Sequence, residues 1–149
     1  MKRYIIRFYT VTFIAALTAV TIGGCSDEKP GPTPEELFHE KISHSWQVER
    51  VTVDGRDVTN AFPNMRLTIG SDYTYTTTNG AAPIWKASGT FQLKETVSSE
   101  LFDLLRDDGT TINVTELTST NWKLKFTYTS PATRSQSIGG QYEFTFKAN

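Results

Sequence analysis

The sequence predicts an all-β domain: an antiparallel, eight-stranded up-and-down barrel preceded by a short N-terminal helix. Three observations carry that prediction. Apolar and polar residues alternate with period two through much of the chain after Ser45. Short turn-like segments separate the alternating runs, and almost no helical pattern lies between them. Strands that each bury one face tend to close on themselves, which removes exposed edges. A sandwich or an incompletely closed barrel is the alternative arrangement of the same strands.

The chain opens on a basic stretch, Lys2, Arg3 and Arg7, followed by an uncharged run from Phe8 to Ile22. A basic start, an apolar middle and small residues before a cut site describe a secretory signal. The run is short for a transmembrane helix, which needs roughly 20 apolar residues. The single cysteine of the 149 residues follows at once, in Ile22-Gly23-Gly24-Cys25. With no second thiol, a disulfide framework is excluded. The tetrapeptide resembles the lipobox of bacterial lipoproteins. That resemblance implies lipidation at Cys25, which becomes the mature N-terminus and anchors the protein in a membrane. Ser26-Asp27-Glu28 resembles the acidic export signal of surface lipoproteins of the Bacteroidota, implying an outer-membrane, cell-surface address. Removing a leader with three bases and no acids leaves 12 bases against 16 acids, a net charge of −4. A mildly acidic chain without a basic patch is not expected to bind nucleic acid.

Residues 25–33 read as a tether, stiffened by Pro30 and Pro32. Thr33-Pro34-Glu35-Glu36 fits a capping box, with Thr33 as N-cap, proline at the first helical position and glutamate at the third. Leu37, Phe38 and Ile42 follow at helical spacing, so a helix is predicted from 34 to about 42. The barrel domain then spans 34–149.

Eight strands are predicted: 45–53, 65–70, 73–78, 87–94, 101–106, 111–118, 121–129 and 141–147. Asn121 to Thr129 is the clearest, with Trp122, Leu124, Phe126 and Tyr128 on one face. In the first strand Trp46 and Val48 share one parity and Val51 and Val53 the other, which predicts a bulge near Glu49-Arg50. Residues 100–105 also fit one or two helical turns. Asp107-Asp108-Gly109-Thr110 gives a hairpin signal.

In such a meander, alternate connections lie at opposite ends. On one side fall the long segments Asp54–Asn64, Asn79–Lys86 and Ser130–Gly140, together with the 107–110 turn; on the other fall turns of two to six residues. One end is therefore tightly stitched, and the helix is expected to plug it. The other is an elaborated mouth, where binding sites in barrels usually sit.

Taken together, the short helix, Ser45-Trp46 opening the first strand, the eight-strand meander and the closing Gly140-Gln141-Tyr142-Glu143-Phe144 resemble a lipocalin-like (calycin-type) lipoprotein domain of the Bacteroidota. The resemblance spans about residues 36–149. Trp46 matches the family's tryptophan at the start of strand one, with His44 in place of the usual glycine. It implies a barrel with Trp46 packed across its floor.

Catalytic chemistry finds no constellation. His39 and His44 are five apart and share no helix face, so zinc is not expected. No base stands ready for a Ser-His-Asp triad, and no glycine-rich phosphate loop occurs. Asp103, Asp107 and Asp108 lack the spacing of a calcium hand. Neither an enzyme nor a cofactor or metal is expected.

The informative class is aromatic: three Trp, six Tyr and nine Phe. Phe62, Pro63, Ile84 and Trp85 fall on mouth loops and are expected to offer an apolar contact surface. Arg56 and Arg134 lie at the same end and are candidates for a carboxylate or phosphate headgroup. The candidate ligand residues are Trp46, Phe62, Tyr75, Trp85, Trp122, Phe126, Arg134 and Tyr142. Two functions compete. One is binding of a small apolar or amphipathic molecule in the barrel. The other is docking of an envelope protein or glycan through the mouth loops.

Overall fold

The helix forms where the capping box predicts it. In the computed structural model, which describes residues 30–98, 100–129 and 139–149, α1 runs Pro34–Ile42. Thr33 Oγ1 accepts from the Glu36 amide at 3.2 Å, and the Glu36 carboxylate accepts from the Thr33 amide at 2.7 Å. These bonds satisfy amide donors that a helix start leaves orphaned. Phe38 and Ile42 form the buried face of α1. The Trp46 indole N–H donates to the Ile42 carbonyl at 2.9 Å and ties the helix end to the barrel floor.

Nine strands follow among the described residues: β1 (Ser45–Val53), β2 (Arg56–Asp57), β3 (Arg66–Ile69), β4 (Thr74–Thr78), β5 (Ser88–Glu95), β6 (Phe102–Arg106), β7 (Thr111–Leu117), β8 (Asn121–Tyr128) and β9 (Gly140–Ala148). All neighbours pair antiparallel, in the order β2-β1-β3-β4-β5-β6-β7-β8-β9, and β9 pairs back onto β1. Eight strands thus close an up-and-down barrel. β2 is the addition: it folds back on the end of β1 through Asp54 and Gly55, both at positive φ. That backbone matches the twist of a tight hairpin and suits an Asp-Gly pair.

The predicted bulge is present. The β1–β9 register passes from Val48↔Phe146 to Arg50↔Thr145, skipping Glu49. The extra residue turns Trp46 and Val51, of opposite parity, to the same interior. Segment 102–106 is a strand rather than a helical turn, with Phe102, Leu104 and Arg106 facing in. Its ladder to β7 is short, Leu104↔Ile112 and Leu105↔Thr111. Below it the Asp103 carboxylate accepts from the Val114 amide at 3.1 Å and from Asn113 Nδ2 at 2.7 Å, so a side chain carries the seam onward.

Residues 31–149 form one compact unit. Its core is a single cluster that takes in Phe38 and Ile42 at the helix end and Phe62, Ile84 and Trp85 at the other. Trp46 and Trp122 meet at 5.2 Å between ring centroids, and Phe126, Phe144 and Phe146 stack in sequence up β8 and β9. The helix therefore plugs the stitched end: Phe38 lies 5.3 Å from Phe102, and the His39 ring stacks on Tyr73 at 4.0 Å.

Candidate functional site

Among the described residues, two of the connections at the mouth frame its groove. The first leaves β2 and runs through a 3-10 turn at Thr59–Ala61 to Phe62. The second is the strap 79–87 between β4 and β5. Asn79 Nδ2 donates to the Pro63 carbonyl at 3.0 Å and joins the two. Between them lies an apolar groove of about 310 Å³, lined by Val53, Val58, Ala61, Phe62, Ala81, Ala82, Ile84 and Tyr142.

The expected exposed aromatic surface on these loops requires correction. Phe62, Ile84 and Trp85 are 3 %, 4 % and 2 % exposed. Each turns inward because an open barrel end offers apolar surface to any loop that crosses it, and burying such a side chain yields about 2 kcal/mol or more. Phe62 meets the Phe144 ring edge-on at 5.1 Å. Trp85 reaches deepest, standing nearly perpendicular to Tyr75, Phe126 and Phe144 at 5.7–5.9 Å.

Beneath Trp85 sits Arg106, a residue whose charge argues for the surface. Arg106 is the only buried charged side chain among the described residues, at 3 % exposure. Its signal was parity: 102, 104 and 106 point the same way. Arg106 Nε donates to Asp108 Oδ1 at 3.2 Å, and Nη2 makes a shorter bond to Oδ2. Nη1 donates to the Ile84 carbonyl at 2.9 Å. The guanidinium also lies over the Trp85 ring, 5.2 Å from its centroid, and 5.9 Å from that of Phe126. Burial works to raise the Asp108 carboxyl. The Arg106 and Thr110 hydrogen bonds outweigh it and hold Asp108 well below the usual carboxylate range.

Four further groups are buried without a hydrogen-bond partner among the described residues: His44 Nε2, the Tyr75 hydroxyl and the indole N–H groups of Trp85 and Trp122. Burial raises Tyr75 above the ordinary phenol range, with Arg106 opposing. Burial likewise raises Tyr142.

The candidate ligand residues thus separate into three places. Phe62 and Tyr142 line the groove. Tyr75, Trp85 and Phe126 surround Arg106 in the upper barrel. Trp46 and Trp122 pack against each other at the helix end and line neither. Arg134 and Cys25 lie outside the described residues, as do the leader and most of the tether. Arg56 is exposed on β2.

The closed eight-stranded antiparallel barrel is compatible with a lipocalin-like fold. No protein-family model matches the chain, and no curated protein matches it.

Proposed function

We propose that this chain is a lipid-anchored, lipocalin-like binding protein of the outer membrane, of the Bacteroidota type, that holds a small apolar or amphipathic molecule at its barrel mouth. On this reading it binds and does not catalyse, uses no cofactor, and faces the cell exterior from a lipid on Cys25. The observation that carries the binding reading is the groove. It is concave, almost wholly apolar, about 310 Å³ in volume and set between two mouth connections, near the lower size bound of small-molecule sites. Inward burial of Phe62, Ile84 and Trp85 takes from the docking alternative three of the loop residues it drew on and leaves it Pro63, which is exposed.

Calorimetric titration of the full chain in amphipol with decanol tests the groove. Ala61 is exposed and lines it, so Ala61→Glu places a charge there without disturbing the core. Decanol binding should weaken at least tenfold. Unchanged affinity would place any binding elsewhere. For the address, Cys25→Ser should abolish palmitate incorporation. Protease treatment of intact cells should remove the wild-type barrel, and full protection would sink the surface assignment.

A further inference from the structure

We infer that the Ile84-Trp85 segment of the strap is a displaceable plug standing in for part of a ligand, and that the slot beneath it takes a planar aromatic group carrying a hydrogen-bond acceptor. The inference deepens the binding reading above and rests on it. The indole occupies a slot whose walls are set by other elements: Tyr75 on β4, Arg106 on β6, Phe126 on β8 and Phe144 on β9. Three ring faces or edges and a guanidinium around one flat group form a receptor for any flat aromatic of similar size. The adjoining Ile84 carbonyl supplies the acceptor that Arg106 Nη1 requires. Ring and acceptor together are the ligand pattern.

The plug fits its slot imperfectly. Its indole N–H finds no partner among the described residues, nor does the hydroxyl of Tyr75, whose ring meets the indole edge-on. Buried donors without acceptors are costly. Arg106 spends three of its N–H groups on Asp108 and Ile84, out of five that a guanidinium carries. The plug therefore leaves the indole N–H and the Tyr75 hydroxyl unmatched among the described residues. Within the strap, Asn79 and Ala81 hold φ of 56° and 48°, a region costly for residues with a Cβ and common in ligand clamps and switches. Ile84 also floors the mouth groove. A molecule entering the groove meets the plug first, and displacing it joins groove and slot.

The test is fluorine NMR on the full chain labelled with fluorotryptophan and held in amphipol. The chain has three tryptophans, and Trp85→Phe assigns the relevant signal. Indoleacetate, flat and acceptor-bearing, should bind and move the Trp85 signal to a solvent-exposed position, leaving Trp46 and Trp122 in place. Indole, which lacks the acceptor, should bind at least tenfold more weakly. Trp85→Ala should bind indoleacetate at least tenfold more tightly, because no plug then competes. If that variant does not fold, the wild-type spectrum decides alone. Failure of indoleacetate to bind at millimolar concentration, or binding with Trp85 still buried, overturns the plug. Decanol separates the two readings. Decanol binding that Ala61→Glu weakens, beside an inert Trp85 signal with indoleacetate, sinks the slot and spares the groove. Indoleacetate displacing Trp85 while decanol ignores Ala61→Glu sinks the groove and spares the slot.

Discussion

Removing the Asp108 carboxylate should cost this barrel about 3 kcal/mol. Asp108 accepts two bonds from Arg106 and one from the Thr110 amide at 3.0 Å. The Arg106 side chain is only 2 % exposed and that of Asp108 22 %, so Asp108→Ala strands a cation in an aromatic interior. Breaking a buried pair from one side costs about 3–5 kcal/mol, and the partial exposure of Asp108 argues for the lower bound. For a domain of this size that lowers Tm by roughly 10 °C. Replacing both partners, with Arg106→Met and Asp108→Ala, removes the stranded charge and should recover most of the loss. The assay is equilibrium denaturation of the four proteins of that cycle, giving a coupling of about 2 kcal/mol. A cost below about 0.5 kcal/mol for Asp108→Ala, the range of ordinary surface changes, would refute the reasoning. The pH dependence has a defined sign. Asp108 is held below its ordinary value when folded, so it stabilises the barrel above the unfolded carboxylate range. That contribution fades as pH falls through and below that range. Asp108→Asn should flatten this limb of the stability profile.

Gly89 sits opposite Tyr75 in the β4–β5 ladder. A Cβ there would lie 2.7–2.8 Å from the Tyr75 hydroxyl and ring, so Gly89→Ala should destabilise by about 1–3 kcal/mol through overpacking. An unchanged denaturation midpoint would contradict that fit. Thr33→Ala removes the capping box of α1 and should cost about 1 kcal/mol, read as a lower Tm, with Thr33→Ser retaining most of the stability.

The barrel was legible because its information is periodic. Alternation in 121–129 and 141–147 specifies which face is buried, and the parity switch between Val48 and Val51 gave the bulge. The capping residues gave α1 with its observed bounds. Strand β2 went unread because two exposed residues, Arg56 and Asp57, carry no alternation. The site was less legible for the same reason. Loops have no period, so nothing in Phe62, Ile84 or Trp85 says whether the side chain turns toward solvent or back into the barrel. Arg106 lies on the inward parity of β6, but its charge argues for the surface. Only the three-dimensional neighbours Asp108 and the Ile84 carbonyl make an interior place tolerable.

Closure between the first long strand and the last sets the order in which this protein acquires its shape. β9 pairs with both β8 and β1, Ala148 stands opposite Trp46, and the Asn149 amide reaches the Ser45 carbonyl at 3.2 Å. Contacts between residues about a hundred positions apart make folding slow, on the millisecond-to-second scale typical of β topologies. A growing chain cannot close the cylinder until β9 has been made. Until then it carries unpaired edges on β1 and β8, and any holdase that shields the growing chain acts on that open form.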